Sequence, residues 1–167
     1  MTKSSALSRP PSNREEKTMH KKERAIHCVT FLGTPPFYFL ASLPLLIFGF
    51  RLVLAYYLAV MATELVCAVI KLLTRTERPI PRKRLTLYDQ YDASTFPSAH
   101  TARIASNATV VFLFFQGAWL AALGCMLVVL VAYSRVALQH HFVKDVVVGA
   151  LVGIVISTLI YRSVFTA

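Results

Sequence analysis

Two histidines, three cations, a serine and an aspartate stand at spacings suited to moving a phosphoryl group. His141 and Asp145 lie four apart, so on a helix the carboxylate reaches the imidazole. An aspartate that accepts the proton of one ring nitrogen fixes the tautomer and leaves the other nitrogen to attack, which makes His141 a candidate nucleophile. Lys71 and Arg78 are seven apart, two helical turns, so both point the same way if their helix runs to Pro79. With Arg135 they supply three positive charges, a match for a tetrahedral oxyanion whose charge spreads over several oxygens during transfer. Ser98 is suited to cap a helix whose unpaired N–H groups and dipole favour an anion. His100, two residues on, can give a proton to a leaving oxygen. No cluster has the carboxylate count or Cys/His spacing of a metal site, so the cations are expected to do the work often given to Mg²⁺, without a cofactor.

These residues must be carried by long apolar helices. Phe31 to Phe50 is twenty residues without a charge, and Leu52 to Ile70 is nineteen with one, Glu64. Ile104 to Tyr133 is thirty without a charge, too long for one crossing of a hydrocarbon layer roughly 30 Å thick, and Gln116-Gly117 is the natural break. The expected fold is an all-α integral membrane bundle of about five transmembrane helices, at 31–50, 52–73, 98–115, 118–133 and 143–161. Arg51 alone separates the first two. Residues 74–97, with three prolines and the run Arg82-Lys83-Arg84, form a loop outside the membrane. Residues 25–167 make one membrane domain, preceded by a basic, flexible tail over 1–24. Cut this way, the spans bring every polar cluster to one side.

Composition agrees. Of 167 residues, 56% are hydrophobic and 16% charged, where a soluble domain keeps nearer a quarter charged. A soluble α/β enzyme is disfavoured. The net charge is +10, and seven of the eighteen Lys and Arg fall in the first 24 positions. In so apolar a chain that asymmetry speaks for anionic lipid and topology, and no interleaved aromatic and basic segment suggests nucleic acid. The three cysteines, without paired spacing, read as buried thiols.

At this point the residues resemble the type 2 phosphatidic acid phosphatases, relatives of the vanadium haloperoxidases. Lys71 to Arg78-Pro79, Pro97-Ser98-Ala99-His100, and Ser134-Arg135 with His141 and Asp145 match that family's three motifs and their gaps. Ala99 stands where glycine is usual, keeping the backbone N–H but not the freedom of positive φ. The resemblance implies a membrane-embedded lipid phosphate phosphatase, metal-independent, acting on a phosphomonoester or diphosphate of a phospholipid or polyprenyl lipid. It implies a phosphohistidine on His141 oriented by Asp145, protonation of the leaving group by His100, and phosphoryl oxygens held by Lys71, Arg78, Ser98, Ala99 and Arg135. Family members usually have six spans where five are read here, the basic tail standing in place of the first.

The rival from another class is a phosphate- or lipid-binding membrane protein or transporter that does not cleave. A histidine–carboxylate pair with a second histidine separates the two, since binding needs neither nucleophile nor proton donor. Arg82, Lys83, Arg84 and Arg103 are candidates for a lipid headgroup; the first three serve equally as an anchor on anionic lipid, and Arg103 as a polar wall. Glu64 is read as paired with a polar neighbour, His140 as a loop residue, Asp89 and Asp92 as shaping their loop, and the sequon Asn107-Ala108-Thr109 as inert within an apolar helix. Topology follows from the cations. Lys3, Arg9, Arg14, Lys17, Lys21, Lys22 and Arg24, with Arg82 to Arg84, lie on the side of the motifs, against Arg51 and Arg162 opposite. The positive-inside rule then puts N-terminus and active site in the cytoplasm, in an inner or plasma membrane.

Overall fold

A computed structural model of the chain describes residues 24–26, 28–77, 79–80 and 85–166. The tail to residue 23, Arg78 and the run Arg82-Lys83-Arg84 lie outside the described residues. Every regular element among the described residues is helical. In chain order they are α1 (Arg24–Phe31), α2 (Pro35–Ser42) running on as a 3₁₀ turn (Leu43–Phe48), α3 (Phe50–Thr74), α4 (Leu87–Ala93), α5 (Ala99–Phe115), α6 (Ala118–Ala137) and α7 (Val143–Thr166).

Helices α3, α6 and α7, of 25, 20 and 24 residues, are long and apolar enough to cross a membrane. Their outward faces carry Leu65, Val69, Val129, Leu151 and Ile154 exposed, while Thr63, Ser106, Asn107 and Ser157 are buried between helices. Apolar outside and small or polar inside inverts the soluble arrangement and suits lipid as the solvent. Helix α5, with 17 residues, is the shortest of the four long helices and packs against α3, α6 and α7. Of the cysteines only Cys67 is buried; Cys28 and Cys125 face outward, at no cost where the surroundings are hydrocarbon.

The break at Gln116-Gly117 falls where expected. Gln116 ends α5 in the left-handed region at φ 55°, and Gly117 precedes α6. The first span does not form as one helix over 31–50. Phe31 ends α1, Pro35 restarts the chain as α2, and the two pieces meet at 56°. Proline at the first helical position donates nothing and disfavours helix in the residue before it, which is why the axis breaks there. If α1 and α2 count as one broken span, the candidate spans number four. Nor does Arg51 divide the first two segments: Gly49, at φ 109°, makes the turn and Arg51 sits exposed in the first turn of α3. Only glycine takes that φ without strain. The polar segment 74–97 is not all loop, since Thr86 and Asp89 form a reciprocal capping box that starts α4.

Candidate active site

The α5–α7 contact fixes the site. Gly149, Gly153 and Ser157 on α7 recur every four residues against Ser98, Ala102 and Ser106 on α5. A Cβ on Gly149 would lie 2.5 Å from the Ser98 carbonyl oxygen, and one on Gly153 2.2 Å from that of Ala102. The backbones therefore touch, and Ser157 Oγ donates to Ser106 Oγ at 2.6 Å. At the top of this seam the Ser98 N–H donates to the Asp145 carbonyl at 2.9 Å. The start of α5, with His100, is thus locked to the start of α7, with Asp145.

The carboxylate of Asp145 works twice. Its Oδ2 accepts the Phe142 N–H at 2.8 Å, securing the first turn of α7, and lies 3.8 Å from His141 Nδ1. Both side chains are buried. The chain reverses between α6 and α7 through Gln139 at φ 53°, and the His140 N–H bonds the Arg135 carbonyl at 3.1 Å. That turn carries His141 and Arg135 to the same place.

Lys71 is buried near the end of α3. Its Nζ donates to the Ser94 carbonyl at 2.5 Å and sits 5.1 Å from the centre of the Tyr91 ring, a cation–π distance. The condition that would align Lys71 with Arg78, a helix running to Pro79, is not met: α3 ends at Thr74, with Arg75 left-handed at φ 45°. Helical spacing therefore does not align Lys71 with Arg78.

A cavity of about 270 Å³ brings together Lys71, Ala99, His100, Arg103, Arg135 and His141, with Pro35, Tyr91, Asp92 and His140 completing its wall. His140, read from the sequence as a plain loop residue, is on that wall. Ser98 is not. It holds the capping position before α5, but its fully buried hydroxyl makes no cap bond and accepts from Thr101 Oγ1 at 3.1 Å.

Glu64 does have the polar neighbour expected of it. Its two oxygens take Nε and Nη2 of Arg103 in a bidentate pair, with Nη2 at 2.6 Å, and Oε1 also accepts from the Tyr91 hydroxyl. Burial, reinforced by that carboxylate, pushes the Tyr91 hydroxyl above its usual range, so it remains a donor. Arg103 Nη1 further donates to the Gly33 carbonyl at 3.3 Å. A Cβ on Gly33 would lie 2.9 Å from that of His100, so the α1–α2 bend is pressed against the site. Sequence reasoning missed Tyr91, Gly33 and the glycines of α7; the spacing Gly149-x-x-x-Gly153 was the one available signal, a familiar mark of close helices.

A helical bundle with an apolar exterior and a buried, cation-rich pocket at one end is the arrangement of a membrane protein. Residues 52–167, which include every motif residue, match the model of the PAP2 superfamily, and the chain belongs to that family. Two solved structures share the fold. The crystal structure of Aquifex aeolicus LpxE aligns with a TM-score of 0.72 at 24% identity, over 93% of this chain and 88% of that one. A transmembrane PAP2-type phosphatidylglycerolphosphate phosphatase from Bacillus subtilis aligns with 0.65 at 23%, over 92% and 77%. No curated protein matches at a significant level. The family supports a phosphatase-type hydrolase.

Proposed function

We propose that the chain hydrolyses a phosphate ester or diphosphate carried by a lipid, through a phosphohistidine and without a metal ion. The observation that carries this reading is the cavity in which His100, His141, Lys71 and Arg135 meet, with Asp145 behind His141. Asp145 Oδ2, facing His141 Nδ1 at 3.8 Å, favours the tautomer with its proton on Nδ1, so Nε2 presents its lone pair to phosphorus. As the N–P bond forms, the bond to the lipid oxygen breaks, and His100 gives that oxygen its proton. Water then attacks the phosphohistidine with His100 as base, releasing phosphate and restoring neutral His141. Lys71, Arg135 and the Ala99 N–H at the start of α5 balance the equatorial oxygens, and Arg78 joins them by the family motif. Ser98 acts mainly by fixing α5 to Asp145.

The lipid chain would lie between helices with its headgroup at the charged pocket, in the inner or plasma membrane with the site facing the cytoplasm. Arg82, Lys83 and Arg84 would meet the headgroup or the anionic surface. The test is release of inorganic phosphate by purified protein from a panel of lipid phosphates in EDTA, with and without vanadate. Activity in EDTA, inhibition by vanadate and a background rate for His141→Ala are expected. Turnover that appears only with Mg²⁺, or an active His141→Ala variant, overturns the mechanism; no release from any lipid phosphate returns the chain to a binding role.

A further inference from the structure

Beneath the charged cavity lies a second one, of about 140 Å³, between α2, α5 and α6. Leu120, Leu123, Leu127, Ile104 and Phe37 make most of its wall, and among the described residues Asn107 and Tyr56 are its only polar side chains. The Tyr56 hydroxyl is committed to the Tyr38 carbonyl at 3.4 Å. Asn107 is only 6% exposed, and neither its Nδ2 nor its Oδ1 has a hydrogen-bond partner among the described residues. A buried amide in apolar surroundings is costly until something bonds it. Water serves poorly here, because it needs two to four polar partners and this wall offers the amide and one phenol.

The two cavities are stacked along the same pair of helices. On α2, Pro35 lines the upper one and Phe37 and Ala41 the lower; on α5, His100 and Arg103 line the upper and Asn107 the lower. Positions 100, 103 and 107 follow one helical face, and Asn107 lies about 10 Å below His100 along the axis. Side chains lean towards the start of their helix, which here is the catalytic end.

Resting on the proposed phosphatase activity, we infer that the lower cavity receives the hydrocarbon chain of the substrate and that Asn107 selects chains bearing an oxygen near the headgroup. The Nδ2–H donates to an ester carbonyl, as an acyl glycerolipid phosphate carries a few bonds from its phosphate. A polyprenyl chain has no such acceptor and would leave the amide unbonded. The preferred substrate class is therefore acylated.

The comparison is of kcat/KM for phosphatidate and for a polyprenyl monophosphate, with wild type and Asn107→Leu in the same detergent. Asn107→Leu should lower kcat/KM for phosphatidate roughly three- to tenfold, mostly through KM, and leave that for the polyprenyl phosphate equal or higher. An aryl phosphate without a chain should be hydrolysed equally by both, which shows the catalytic centre intact. If Asn107→Leu does not fold by that measure, Asn107→Ser, too short to reach the chain, should shift selectivity the same way. Unchanged selectivity between the two lipids, or an equal loss on both with the aryl substrate unaffected, overturns the inference. Wild type that cleaves the aryl phosphate but neither lipid overturns this inference and leaves the phosphatase reading standing; wild type inert towards the aryl phosphate and every lipid phosphate defeats both.

Discussion

The motif residues divide sharply by what surrounds them. Lys71, Arg135 and His141 are buried yet line the cavity, whereas Asp145 and Ser98 are fully buried behind it. Asp145 is the most informative to change, because one carboxylate both secures the start of α7 and faces His141 Nδ1 at 3.8 Å. Asn in its place keeps an acceptor for the Phe142 N–H but favours the wrong imidazole tautomer. Asp145→Asn should therefore unfold within a few degrees of wild type while kcat falls by about 10³ to 10⁴. A parallel loss of both stability and rate would make Asp145 a structural residue only.

At the scale of elements, the α5–α7 seam sets the distance between His100, on α5, and the start of α7, just after His141. The obstacle to any side chain at Gly153 is the Ala102 carbonyl, which is backbone and cannot rotate away. Gly153→Ala should force the helices apart, costing about 1–3 kcal/mol, read as a lower midpoint of thermal unfolding in detergent. Activity should fall with it, since the Ser98 N–H to Asp145 carbonyl bond spans the same seam. A variant as stable and active as wild type would show that the seam does not hold the site. The opposite case is α1 and α2. Twenty uncharged residues read as one span, although Gly33, Pro35, Pro36 and Pro44 lay in plain view. A count of charges cannot register a bend, which depends on missing N–H donors and on what the bent chain packs against.

For the whole molecule the open quantity is direction. Arg51 and Arg162, the only cations assigned to the far side, are both exposed; Arg51 opens α3, whose other end carries Lys71, and Arg162 nears the end of α7, whose start carries Asp145. They therefore stand at the end of the bundle away from the cavity. The tail cations and Arg82 to Arg84, outside the described residues, are assigned to the other side by the sequence alone. A reporter active only outside the cytoplasm, fused to Ala167, should be active. Silence there, with activity of the same reporter fused before the first span, would reverse the orientation.

How much of this the sequence determined follows from the range of each interaction. The helical membrane class, the break at Gln116-Gly117 and the catalytic candidates rest on local quantities: runs of apolar residues, a glycine beside a polar residue, and fixed gaps such as His141 to Asp145. Those survive any arrangement of the helices, so they could be read directly. Lys71 and Arg78 mark the limit, because their gap implied alignment only if α3 continued, and it ends at Thr74. The partners of Glu64 lie 27 and 39 residues away at Tyr91 and Arg103, and Ser98 meets Asp145 across 47 positions. No periodicity encodes such pairings. They exist because α5 is enclosed by α3, α6 and α7, and only packing decides which polar groups then share a pocket and which, like Asn107, are buried without a partner.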